Sequence, residues 1–344
     1  MAMTREDRPV GLLPPADPRT VMVERALEGE DVETIGRRLG LSSDAVVQGL
    51  RDAQATLGKP IPILRRYVET DFPALVGIVN DIASEDQHYN PVSEEVVRGW
   101  FQLPEADLTQ YGWVIETSAE IVGWLAIWTW PRLLQAGRVE IAGGVRSERR
   151  RRGYGTMLIR LAERLAREAG ARYVLAMAPA ERAPTSDFLT GQHGFTLIRC
   201  FFRLRLGSLE GLPISASSQS FTIRPLAGES ELGELVQVHN AAFRSEFGHV
   251  DLDAEGVKGQ LAQQGATLST VLVAADAKDQ LLGYCGYVRP EAATATAANT
   301  GFLTALAVRP DYQGHGIGRA LLLKALATLR QLGATAAEIA VDGA

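Results

Sequence analysis

Short runs of β-branched and apolar residues alternate along the chain with longer segments whose apolar positions recur every three or four residues. In the first half the runs predict strands at 63–68, 111–116, 121–130, 139–145 and 173–178, with a closing pair of strands through Leu206. Helical spacing predicts helices at 72–82, 94–101, 155–169 and near 185–191. In the third of these Leu158, Leu161, Ala162, Leu165 and Ala169 share one face. The second half gives strands at 222–224, 271–275, 282–288, 302–308 and 338–341, and helices at 232–243, 254–263 and 318–332. Leu322, Ala325, Leu326 and Leu329 form the apolar face of the last helix. Residues 207–220, rich in Gly, Ser and Pro, read as a linker. The pattern specifies an α/β (α+β) chain of two domains, 62–206 and 221–344, behind a helical segment at 1–60.

The halves repeat one another. Residues 150–155 read Arg-Arg-Arg-Gly-Tyr-Gly and residues 313–318 read Gln-Gly-His-Gly-Ile-Gly, so Gly153 and Gly316 lie 163 positions apart. Gly170 and Gly333 keep that offset, each preceded by an arginine three residues earlier and followed by alanine. Upstream, Leu75 and Leu235 match at an offset of 160. Each glycine motif sits between a strand and a long helix. Glycines let a backbone approach an anion closely, and the first turn of a helix offers unpaired N–H groups at the positive end of its dipole. A diphosphate is the expected guest.

Composition narrows the class without naming the chemistry. The chain has 344 residues, a formal net charge of −6 and 46% hydrophobic residues, which suits two globular domains and argues against bulk affinity for nucleic acid or anionic membrane. Cys200 and Cys285 are its only cysteines, so a disulfide scaffold is excluded. The longest strongly apolar stretch, 121–130, is about half of a membrane span, and the first twenty residues carry no apolar signal-peptide core. A cytoplasmic location is therefore expected. No His, Cys or Asp cluster has metal-ligand spacing.

The two motifs resemble those of the GNAT superfamily of N-acetyltransferases, most closely at residues 145–155 and 308–318. His193-Gly194-Phe195 is similar to the Gly-Phe that follows the fourth helix of such domains. Two such domains in one chain resemble tandem members such as the mycothiol synthases in architecture. The resemblance implies two mixed-sheet domains, each with a V-splayed sheet, and acetyl-CoA bound by Val145, Arg150, Arg151, Arg152, Gly153, Tyr154 and Gly155, and by Val308, Gln313, Gly314, His315, Gly316, Ile317 and Gly318. It implies transfer of the acetyl group to an amine of a small molecule or peptide. A strand-end N–H, at Val145 or Val308, would polarise the thioester carbonyl. The amine must lose a proton to attack, and Glu140, on the strand where the family often carries a glutamate, is the candidate base. The second half has no acid there, and the first carries Phe188-Leu189-Thr190 where the family's acid tyrosine is expected.

Trp124, Trp128 and Trp130 alternate on one strand, either as packed core or as the wall of an acceptor pocket that Asp86, His88 and Tyr89 could also line. At the offset of 163, Glu181 corresponds to Ala344, so the second domain lacks the counterpart of residues 182–206, a helix and two strands. Either the sequence is a shortened form, or the first domain or a second chain covers the strand at 338–341. Residues 33–47 resemble a helix-turn-helix of the sigma-factor type, with Ser42 or Ser43 as cap and Val46, Leu50 and Ala53 facing inward. Residues 19–59 hold six basic side chains against seven acidic ones, which weighs against DNA reading and leaves a helical appendage or a homodimer contact. Two alternatives to the enzyme stand: an acyl-CoA-sensing DNA-binding regulator, and a CoA-binding pseudoenzyme.

Overall fold

The computed structural model describes residues 17–84, 92–99, 101, 107–178, 183–213, 220–246, 249–288 and 299–343. Three helices open it: α1 (Pro18–Leu27), α2 (Val32–Leu39) and α3 (Ser43–Leu57). The side chains of Asp31 and Ser42 cap α2 and α3 by accepting from Thr34 N and Ala45 N. Val46 and Leu50 are fully buried against Met22, Ile35, Ile61 and Ile63, and Ala53 packs beside them, as the spacing predicts. Polar bonds fix this bundle to the first domain. Gln54 Oε1 accepts from Ile61 N and Ser118 N, at 3.1 and 2.8 Å. Arg51 of α3 forks onto Glu116, and Asp31 is paired with Arg164. The exposed side of α3 presents Asp44, Gln48 and Asp52.

The first sheet runs in chain order: β1 (Ile63–Arg66), β2 (Gly112–Thr117), β3 (Glu120–Trp128), β4 (Arg138–Val145) and β5 (Tyr173–Ala176). Its strands are antiparallel up to β4, and β4–β5 is parallel. One face packs on α4 (Phe72–Ser84), α5 (Glu94–Gly99) and α6 (Leu108–Tyr111) through Leu75, Ile78, Val97, Leu108, Trp124 and Ala126. The other packs on α8 (Tyr154–Glu168) through Leu125, Ile127, Val139, Leu158 and Leu161. The short helix α7 (Pro131–Gln135) joins β3 to β4, and α9 (Ala183–Asp187) runs into a π-turn at Phe188–Gln192.

The second sheet has the order β6-β11-β10-β9-β8-β7, formed by β6 (Phe201–Leu206), β7 (Thr222–Pro225), β8 (Val271–Ala275), β9 (Leu281–Val288), β10 (Thr300–Val308) and β11 (Ala336–Asp342). It is covered by α10 (Leu232–Phe243) and α11 (Ala254–Gln263) on one face and α12 (Ile317–Gln331) on the other. The repeat extends to single atoms. Asn80 of α4 exchanges two hydrogen bonds with the backbone of Val92, and Asn240 of α10 does the same with Leu252. Arg65 forks onto Asp71 as Arg224 forks onto Glu231.

One expectation is corrected. The strand ending at Leu206, counted with the first domain, pairs antiparallel with β11 of the second sheet from Phe201↔Asp342 to Leu206↔Ala337. Glu338, 4% exposed, is the reason: Arg205 and Arg203 of β6 both reach its carboxylate, and Arg199 pairs with Asp342. The first domain thus supplies the cover for the second domain's edge. Only one of the two expected closing strands forms among the described residues. The linker is also tighter than its composition suggests, because Leu209 is 1% exposed within the second core.

Candidate active site

In each half the sheet opens where the glycine motif begins. Strand β4 pairs with β5 only from Arg138↔Tyr173 to Ile141↔Ala176 and then runs on to Val145 paired with β3 alone. Strand β10 pairs with β11 only from Thr300↔Ala336 to Leu303↔Ile339 and runs on to Val308. Antiparallel strands bond through alternate residues. Arg146 N donates to Val122 O at 2.9 Å, and Arg309 N donates to Leu282 O at 2.9 Å. The alternation turns the N–H groups of Val145 and Gly143, and of Val308 and Leu306, away from β3 and β9 and into the opening. A ligand carbonyl or a thioester oxygen entering there meets two donors in each half. The sequence offered Val145 and Val308; the neighbouring Gly143 and Leu306 emerge only from the register.

The loops after these strand ends are superposable in kind. Each starts with one helical turn, at Ser147–Arg149 or Pro310–Tyr312. Next comes an extended residue whose side chain reaches back: Arg150 Nε donates to Val145 O at 3.1 Å, and Gln313 Nε2 donates to Val308 O at 3.2 Å. Then two left-handed residues lead into the helix, Arg151 (φ 61°) and Gly153 (φ 86°), or Gly314 (φ 79°) and Gly316 (φ 80°). Such a backbone points successive N–H groups at one spot, an anion nest, and the first turns of α8 and α12 add their dipole ends. A Cβ placed on Gly153, Gly314 or Gly316 would meet nothing within 4 Å, so the space beside each of these glycines is open. Tyr154 and Ile317, by contrast, are buried and anchor their helices. Gly155 is packed beneath Phe188, while Gly318 lies beside Val308. His315 Nδ1 lies 2.9 Å from Gln313 O and braces the second loop.

The arginine run divides its labour. Glu120 holds Arg149 at 2.6 Å and Arg146 at 3.3 Å, and Arg150 clamps the strand end. Arg151 and Arg152 are exposed. Arg151 holds a left-handed conformation that glycine holds in the other half, at a cost of about 1 kcal/mol. Arg151→Gly is therefore expected to raise stability by about 0.5–1 kcal/mol in thermal unfolding. The same change removes a cation above the nest and should weaken CoA binding at low salt.

Glu140 sits at the point where β4 and β5 part, opposite Trp128 and on the same face as Trp124 and Ala126. Arg138, 7% exposed, places Nε and Nη2 at 3.2 and 3.1 Å, both on Glu140 Oε1. That geometry orients the carboxylate and leaves its second oxygen free of those contacts. The indole N–H groups of Trp124 and Trp128 are buried without a partner among the described residues. Phe101 stands edge-on to Trp124, and Trp130 lies 6.1 Å from Trp128. Asp86, His88 and Tyr89 fall outside the described residues. Thr190 is exposed and donates its hydroxyl to Ser186 O.

Sequence reasoning passed over a polar group in the second half. His239 Nδ1 and the Tyr284 hydroxyl share a hydrogen bond at 2.7 Å, with His249 beside them. The matched asparagines at 80 and 240 were the signal available for aligning that region with the first half. No helix among the described residues is long and apolar enough to cross a membrane.

The profile of the acetyltransferase (GNAT) family matches residues 76–195 and again 233–344. The chain is similar to a mycothiol acetyltransferase of Segniliparus rotundus, 29% identical over 209 residues that make up 60% of this chain and 76% of that one. It is also 25% identical over 261 residues to a mycothiol acetyltransferase of Propionibacterium freudenreichii, covering 76% and 77% of the two chains. In fold it is similar to a GCN5-related N-acetyltransferase from Sphaerobacter thermophilus, with a TM-score of 0.63 at 21% identity, covering 82% of this chain and 87% of that one. A tandem GNAT protein from the clavulanic acid biosynthesis pathway gives a TM-score of 0.61 at 16% identity, covering 82% and 89%. Family matches in both halves fall on the two splayed strands and the two glycine loops, and the chain belongs to the GNAT family as a tandem, acetyl-CoA-dependent N-acetyltransferase.

Proposed function

We propose that the chain acetylates a primary amine of a small molecule, and that the first half carries the amine side of this reaction. The observation that carries the reading is Glu140, held by Arg138 at the mouth of the β4–β5 opening, opposite Trp128 and on the face that Trp124 shares. The nests at Arg150–Gly155 and Gln313–Gly318 would hold the CoA diphosphate through backbone N–H groups. Open space beside Gly153 and Gly316 fits such a guest. The thioester carbonyl would then lie against the N–H groups of Gly143 and Val145. Glu140 takes a proton from the bound ammonium; the freed lone pair attacks the thioester carbon, and the C–S bond breaks with its electrons on sulfur. The second amine proton leaves toward the thiolate, directly or through water. Orientation supplies much of the rate, so the missing tyrosine at Thr190 does not abolish transfer.

The second loop, whose four small or backbone-bracing positions need no arginine, holds CoA with less dependence on salt than the first, where Arg151 and Arg152 stand exposed. A DNA-binding reading is not favoured, because α3 turns Asp44 and Asp52 outward and gives Arg51 to Glu116. The test is turnover of acetyl-CoA against a panel of small amines. Since the curated relatives are mycothiol acetyltransferases, the unacetylated form of mycothiol heads the panel. Saturable amide formation with a small amine is expected. CoA binding with no transfer to any amine would favour a CoA-binding pseudoenzyme.

A further inference from the structure

The second half has no acid at the position of Glu140, yet the amine-facing side of its sheet is not inert. Strand β9 turns Tyr284 toward α10 and α11, opposite Ala307 of β10. Ala307 lies between Leu306 and Val308, whose N–H groups point into the β10–β11 opening. Tyr284 thus occupies, in the second half, the place of Trp124 in the first, 160 positions earlier. Its hydroxyl meets His239 Nδ1 of α10 at 2.7 Å. The ring of His249 stands 6.0 Å from that of His239, and His249 Nε2 is 3.1 Å from Asp251 Oδ1. Asn240 fixes Leu252, three residues beyond His249. Thr304, at the bulge of β10, lies against Gly286, and its hydroxyl is buried without a partner among the described residues.

We infer that the second half carries an amine site of its own, in which His249, oriented by Asp251, accepts the proton of a small primary amine while His239, Tyr284 and Thr304 bind and position it. A carboxylate behind an imidazole fixes its orientation and stabilises the imidazolium that forms. His239 cannot take that part, since burial, with His249 beside it, holds its pKa down to about 4. It stays neutral and keeps the Tyr284 hydroxyl in place. Other charges lie near the group: Arg244 approaches Asp251 at 3.9 Å, Lys258 of α11 is taken by Glu229 and Glu255, and Glu246 is tied to His249 through its backbone carbonyl, which accepts from His249 N at 3.1 Å. Proton transfer to His249 frees the nitrogen lone pair, a C–N bond forms as the acetyl C–S bond breaks, and the thiolate receives the second amine proton.

This second amine site lies in a different half from Glu140, and one set of experiments separates the two. Imidazole resonances of the full chain, saturated with CoA, are followed as methylamine is added. His249 and His239 should shift saturably, and H249N should lose the response. Transfer from acetyl-CoA to methylamine is then compared in E140Q and in E140Q/H249N. The single variant should retain turnover above buffer, and the double variant should fall at least about tenfold below it. D251N should shift the pH profile of the residual turnover. Imidazoles unmoved by millimolar methylamine, no residual turnover in E140Q, or equal rates in the single and double variants would each overturn the inference. A wild-type rate in E140Q would instead sink the Glu140 reading and leave this one standing.

Discussion

Glu116→Ala is expected to destabilise the chain by about 2–3 kcal/mol, the cost of removing the buried acceptor of three charge-assisted hydrogen bonds. Glu116 is 3% exposed, and three arginine nitrogens converge on it: Arg51 Nε at 2.7 Å, Arg51 Nη2 at 2.8 Å and Arg65 Nε at 2.9 Å. Arg65 also forks onto Asp71. Burial pushes the Glu116 carboxyl up, but the hydrogen bonds from Arg51 and Arg65 outweigh it and hold the group below the usual carboxylate range. Without Glu116, Arg65 keeps one acid and Arg51 keeps none. The loss should also loosen α3 from β2, so cleavage within residues 17–57 by a protease should quicken. Arg51→Ala removes an exposed partner and should cost about 1 kcal/mol or less. Denaturant unfolding of both variants checks the contrast, and equal losses would contradict it.

Acid should expose the same logic with a definite sign. A carboxylate held below its usual range contributes stability above its unfolded pKa and loses it as pH falls. His239 acts at higher pH. Its pKa drops from 6.5 to about 4 on folding, so the unfolded chain binds the extra proton between those values and stability falls as pH is lowered through them.

Glu140→Gln is expected to lower the rate of acetyl transfer on the order of a hundredfold and to leave CoA affinity nearly unchanged. Glutamine keeps an acceptor for Arg138, so the strand should stay in place, while the oxygen facing the amine can no longer take a proton. The loss should appear in kcat, because Glu140 is held by Arg138 on β4 and, in the proposed reading, faces the amine rather than the CoA loops. Steady-state kinetics together with CoA calorimetry separate the two quantities. A hundredfold loss of CoA affinity instead would mean that the carboxylate shapes the loop.

Strong local signals made most of the fold readable. The helices at 232–243 and 254–263 have the expected bounds, with Leu232, Leu235 and Val238 buried in one and Val257 and Leu261 in the other. The strands at β4 and β10 were placed by their β-branched runs, and the nests by paired glycines. What escaped was non-local or short. The crossing of β6 into the second sheet depends on Arg203 and Arg205 meeting Glu338 more than a hundred residues away. Helices α6 and α7 have four and five residues, too few to show a period. Arg150 and Gln313 were matched by position, but their grip on the strand-end carbonyls depends on the left-handed turn beyond them. The His239–Tyr284 pair was invisible because a histidine on a helix and a tyrosine on a strand share no sequence spacing.

The central claim is that the paired glycine loops hold acetyl-CoA. Calorimetric titration of acetyl-CoA into the wild type, Gly153→Glu, Gly316→Glu and the double variant tests it most directly. Each substitution sets a carboxylate in the open space beside a nest glycine, where it repels a diphosphate and blocks the N–H groups. Both positions are left-handed, so circular dichroism must first show that each variant is folded. The predicted result is binding by the wild type, loss of the less salt-dependent part in Gly316→Glu, loss of the more salt-dependent part in Gly153→Glu, and none in the double variant. Acetyl-CoA bound as tightly by the folded double variant as by the wild type, or not bound by the wild type at all, would contradict the claim.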